Sequence, residues 1–144
     1  MIRELADGYE LDDDPRRIDI EVVHRFLSEE SYWAKGRSHA ALVAALEGSQ
    51  RVVGAYHAGE LVGFARVVTD KGVFAVLADV FVLPGHRGKG LGVELVRETV
   101  DNGPYRGLSW NLVTDDAQGL YSKFGFQEIA PTTTALGRAA ARLG

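Results

Sequence analysis

Arg87-Gly88-Lys89-Gly90-Leu91-Gly92 is the stretch that decides how this chain is read. It follows an apolar, strand-like run over residues 73–83 and opens a helix. Three glycines within five residues let the backbone turn tightly and bring several N–H groups toward one point. The start of the helix adds unpaired N–H groups and the positive end of the helix dipole. Arg87 and Lys89 add charge, so the loop suits a diphosphate. The spacing excludes two other phosphate loops. No segment has G-x-x-x-x-G-K-[ST], and G-x-G-x-x-G fails because Val93 stands at its last position. A glycine-rich solvent loop would have the same composition.

A second run lies downstream, Ala117-Gln118-Gly119-Leu120-Tyr121-Ser122-Lys123-Phe124-Gly125-Phe126. The first run reads R-x-x-G-x-G from Arg87 through Gly90 to Gly92, and the second reads A-x-x-L-Y-x-x-x-G-F. In this order and at this distance, the pair resembles the GNAT superfamily of acetyl-CoA-dependent acyltransferases over about residues 18–126. The resemblance implies an α/β fold, with a mixed, mostly antiparallel sheet flanked by helices and splayed central strands.

Composition agrees with such a domain. The 144 residues are 46% hydrophobic and 25% charged, as in an ordinary globule with a substantial core. We expect one domain over 1–144, with a Thr- and Ala-rich tail over 131–144 that is either a short helix or flexible. A net charge of −4 argues against nucleic acid as the main partner. With no cysteine, disulfides, thiolate metal sites and a cysteine-borne acyl intermediate are excluded. No apolar run approaches the ~20 residues needed to span a bilayer, and no signal peptide is legible, so a cytoplasmic location is expected.

Local patterns place the motifs. The segment 8–11 suits an edge strand, and Asp12-Asp13-Asp14 a solvated turn. Helices fit 18–28, with Ile20, Val23, Phe26 and Leu27 on one face, and the stretch after Ser38 that ends at Gly48. Strands fit 51–57 and 61–69 around the hairpin loop Ala58-Gly59-Glu60, then 73–83 and 108–113. The helix after the glycine loop turns Leu91, Leu95, Val96 and Val100 inward and Glu94, Arg97, Glu98 and Asp101 outward. A short helix over 116–124 and a last strand over 126–130 complete the pattern.

Acyl transfer from a thioester to an amine needs a neutral amine, donors for the developing oxyanion and a proton for the departing thiolate. The resemblance assigns the last task to Tyr121, whose phenol has a reference pKa of about 10 and is protonated at neutral pH. Tyr121 could equally pack beneath its helix. The resemblance places the oxyanion donor on the backbone of Val80, Phe81 and Val82, where the strand splays from 108–113. It places Gly88, Lys89, Gly90, Leu91 and Gly92 with Arg87 on the diphosphate, and Thr114, Ala117, Leu120, Tyr121 and Phe124 along the rest of the cofactor. Thr114 stands where the family often has asparagine, which leaves one hydrogen-bonding group fewer. Asp79, a charge in an otherwise apolar strand, is either the base or a structural partner of backbone or an arginine. Glu29, Glu30, Tyr32, Trp33 and Arg37 lie between the first two helices, a segment that lines the acceptor side in GNAT folds. Aromatic walls with carboxylates suit an organic cation, although Trp33 could instead anchor its loop. His24 and His39 lack metal-like partners, and no metal is expected.

These readings lead to an N-acetyltransferase that moves an acetyl group from acetyl-CoA to a small-molecule primary amine by direct transfer in a ternary complex. The protein would be a monomer or homodimer. The alternatives are a non-catalytic acyl-CoA-binding module on the same fold and an enzyme that acts on protein N-termini or lysines.

Overall fold

The computed structural model describes residues 2–114, 117–129 and 136–140. Six strands form one sheet in chain order: β1 (Ile2–Glu4), β2 (Tyr9–Asp12), β3 (Arg51–His57), β4 (Glu60–Thr69), β5 (Phe74–Val82) and β6 (Ser109–Asn111). All neighbours are antiparallel except β5 and β6, which run parallel. Among the described residues the α-helices are α1 (Ile20–Arg25), α2 (His39–Glu47), α3 (Leu91–Val96) and α4 (Gln118–Ser122). This is the mixed, mostly antiparallel sheet with flanking helices that the sequence implies.

Helix ends follow the capping residues. Asp19 accepts from the Val22 N–H at the start of α1, and Ser38 from the Ala41 N–H at the start of α2. Both α1 and α3 widen in their last turn, into the π-type segments Phe26–Glu30 and Arg97–Asp101. The β3–β4 hairpin turns on Ala58 and Gly59, both at positive φ (51° and 80°), the geometry that matches the twist of two paired strands. On one face of the sheet α3 packs Leu91, Leu95, Val96 and Val100 against Leu11, Val53, Ala65 and Leu77. On the other, α1 and α2 pack Val23, Phe26, Leu27 and Leu42 against Tyr56, Phe64 and Phe81.

Five expectations change. The strand at 8–11 is not an edge, because β1 pairs outside β2 in the register Ile2↔Asp12. Asp12 is not a solvated turn residue: it is 3% exposed and accepts from Arg17 Nη1 at 2.9 Å. Glu98 does not face outward. It is buried between Arg3 Nε and Arg51 Nη2, each 2.9 Å away. Residues 126–129 form no strand, and Ala130 lies outside the described residues. Periodicity missed Glu98 because a helix face can bury a charge once arginines from neighbouring strands reach it. The expected helix over 116–124 is shorter, and Asp116 also lies outside the described residues, as do most of the tail residues 131–144.

Candidate active site

The site is built on a fault in the sheet. Along β4 and β5, Phe64 pairs with Phe81 but Arg66 pairs with Ala78, so two β5 residues, Asp79 and Val80, oppose Ala65 alone. Asp79 takes φ +54°, which makes this a bulge that re-aims its side chain. On the far side of β5 the parallel pairing with β6 stops at Val76↔Asn111. Beyond that point β5 continues six more residues without β6, which is the splay the sequence implied.

Strand alternation then fixes which backbone groups face the gap. Phe81 pairs with β4, and Leu83 donates to the Val62 carbonyl at 2.8 Å. Val80 and Val82 therefore present their N–H and C=O groups to the open side. Arg87 Nε donates to the Val82 carbonyl there at 3.0 Å, tying the glycine loop to the end of β5. Phe81 itself is a core residue, stacked on Phe26 at 4.2 Å between centroids.

The glycine loop that leads into α3 has an open backbone. Gly88 and Gly90 sit at φ +79° and +78°, and no heavy atom would approach within 4 Å of a Cβ at either. Glycine is required here by the backbone conformation rather than by packing. The first helical bond runs from the Glu94 N–H to the Gly90 carbonyl, so the N–H groups of Leu91, Gly92 and Val93 have no acceptor within the helix. Lys89 is exposed beside them, and the Leu91 side chain goes to the core.

Tyr121 lines two cavities, as do Leu112, Val113 and Thr114. The first, about 500 Å³, lies between β6, α4 and residues 126–129. The second, about 320 Å³, lies over the bulge between the 31–37 loop and α4. Tyr121 lines both, with Phe126 edge-on to its ring at 5.9 Å. Thr114 Oγ1 accepts from the Ala117 N–H at 3.1 Å, in the turn that leads into α4, and keeps its own proton to donate. Leu120 and Phe124 pack on the α3 side of the core.

Across the second cavity stands the 31–37 loop. It is tied down by Ser31 Oγ to the Leu27 carbonyl (2.7 Å), the Gly36 N–H to the Ser28 carbonyl (2.9 Å), and His24 Nε2 to the Arg37 carbonyl (2.9 Å). This anchoring holds Trp33 and Arg37 over Asp79. Trp33 Nε1 donates to Asp79 Oδ1 at 2.9 Å, while Arg37 Nη1 and Arg66 Nε each donate to Oδ2 at 2.7 Å. Burial pushes the Asp79 carboxyl up. The hydrogen bonds from Arg37 and Arg66, the charge of Arg66 and the bond from Trp33 outweigh that and hold it below the ordinary carboxylate value. Tyr32 lines the cavity beside Trp33, edge-on at 5.1 Å. Glu29 and Glu30 are exposed and do not line it. Sequence reading missed Arg66, although its signal was present: a second charge in an apolar strand, of the sign opposite to Asp79.

Comparisons with known proteins agree with this geometry. A family model described as acetyltransferase (GNAT) domain matches residues 48–128. A GNAT-family protein from Xanthomonas campestris pv. campestris superposes with a TM-score of 0.85 at 36% identity, covering 92% of this chain and 93% of that one. A Clostridium acetobutylicum protein solved with acetyl-CoA shares the fold, with a TM-score of 0.68 at 16% identity, covering 94% and 96%. Among curated proteins, mycothiol acetyltransferase of Nocardia farcinica is 38% identical over 63 residues. That match takes 44% of this chain and spans 21% of the relative's length.

Proposed function

We propose that this chain, which belongs to the GNAT acetyltransferase family, moves an acetyl group from acetyl-CoA to the amine of a small molecule by direct transfer. The observation that carries this reading is the coincidence of three features along one gap: the glycine loop, the open side of β5 and Tyr121. The loop from Arg87 to Gly92 would hold the diphosphate. The N–H of Val80 or Val82 would donate to the thioester oxygen as negative charge develops on it. Tyr121 would pass its proton to the departing sulfur, because it lines both cavities. Asp79 is better suited to positioning than to proton abstraction. Three donors already occupy its carboxylate, and its lowered pKa makes it a weak base. The nearby arginine charges favour a neutral amine over an ammonium, which supplies the nucleophile without a dedicated base.

Calorimetric titration with CoA, paired with a thiol-release assay on acetyl-CoA and an amine panel, tests the reading. Binding should add about 2.7 kcal/mol of stability at a hundredfold excess over Kd. Gly90→Asp should abolish both heat and turnover, since it puts a side chain and a negative charge at a position with φ +78°. No heat and no thiol release with the wild type would overturn the proposal.

A further inference from the structure

We propose that the acceptor is an amine that also carries an oxyanion, carboxylate or phosphate, and that Arg37 grips this anion. The inference rests on the reading of the second cavity as the acceptor side, and it reverses the organic cation expected from the sequence. Among the described residues that line the cavity, the charged groups are Arg37, Arg66 and Asp79. Among these described residues, two positive charges stand against one negative.

The two sides of that balance differ in access. The Asp79 side chain is 2% exposed and holds three donors, so it offers little to an incoming cation. Arg37 is 23% exposed, and among the described residues only its Nη1 has a side-chain partner, Asp79. Its Nε and second terminal nitrogen are left for an oxygen pair, the fork geometry that suits carboxylate and phosphate. Asp79 fixes one edge of the guanidinium, so the free edge is already oriented when substrate arrives. A second cation on the substrate would meet the Arg37 guanidinium instead. Trp33 and Tyr32, 42% and 50% exposed, supply the apolar wall for the carbon chain between amine and anion.

A matched three-carbon series tests this: β-alanine, 3-aminopropyl phosphate, 3-aminopropanol and 1,3-diaminopropane. Binding is read from Trp33 fluorescence in the CoA-loaded protein, with Trp33→Phe as the signal control, and turnover from thiol release. At least one of the two anionic amines should bind about tenfold tighter than the neutral and dicationic ones, the scale of a charge-assisted pair. Which of the two wins separates carboxylate from phosphate. Arg37→Gln should erase that preference and leave the KM for acetyl-CoA unchanged, while Arg37→Lys should keep part of it. Equal binding across the series, or a preference for the diamine, would overturn the proposal whether or not Arg37→Gln folds. Anion-selective binding with neither CoA binding nor thiol release would instead contradict the acetyltransferase reading and leave the anion site standing.

Discussion

Glu98 and Asp79 are alike in isolation: each side chain is nearly sealed from water, at 4% and 2% exposure, and each is held by two arginines. Their arginines differ. Around Glu98 every guanidinium nitrogen of Arg3 and Arg51 has a partner on Glu94, Glu98 or Asp13. That network joins β1 and β3 to α3 and the segment that continues it. Around Asp79 the arginines keep donors without a partner among the described residues, and both arginines line a cavity. A buried carboxylate is therefore weak evidence for a function. Unpartnered donors beside a cavity are the informative feature.

The comparison breaks most readily on stability. Glu98→Ala removes the buried carboxylate that Arg3 and Arg51 share and leaves them on Glu94 and Asp13, so the expected loss is about 3 kcal/mol, the low end for breaking a buried pair. Denaturant melts should show it, while the Kd for CoA in the folded fraction stays unchanged. A loss below 1 kcal/mol, by the scale of exposed pairs, would mean that the network is not structural.

Asp79→Asn should have a smaller effect, since the amide keeps the size and one acceptor: about 1–3 kcal/mol. Because the Asp79 pKa is lowered on folding, the carboxylate contributes stability above its ordinary value of 3.8 and loses it as the pH falls through the folded value. The Asn variant should thus have a flatter stability profile than wild type below about pH 4. Its kcat at saturating acceptor should fall by less than about tenfold. A fall in the range of about 10²–10⁴ would return Asp79 to the role of general base.

Much of this was legible because it depends on local spacing. The glycine loop, the Ser38 cap, the Ala58-Gly59 turn and the strands from β3 to β5 all follow from short-range pattern. The site charges were harder to read. Asp79 was visible as an anomaly in an apolar strand, but its partners come from residues 33, 37 and 66, far apart in sequence. The bulge that aims it is a two-against-one register that hydrophobic alternation does not encode. Glu98 was misplaced for the same reason, since Arg3 and Arg51 reach it across separations of 95 and 47 residues. The organic-cation expectation counted Glu29 and Glu30 in the acceptor site, yet neither lines the second cavity.

The central claim is that Tyr121 acts on the reacting atoms as their acid. Single-turnover transfer from acetyl-CoA, wild type against Tyr121→Phe, tests it most directly. The substitution keeps the ring against Phe126 and removes only the hydroxyl, so the Kd for CoA should change little. The transfer rate should fall by about 10²–10⁴, the usual contribution of a positioned acid. An unchanged single-turnover rate with intact CoA binding would contradict the account and make Tyr121 a packing residue.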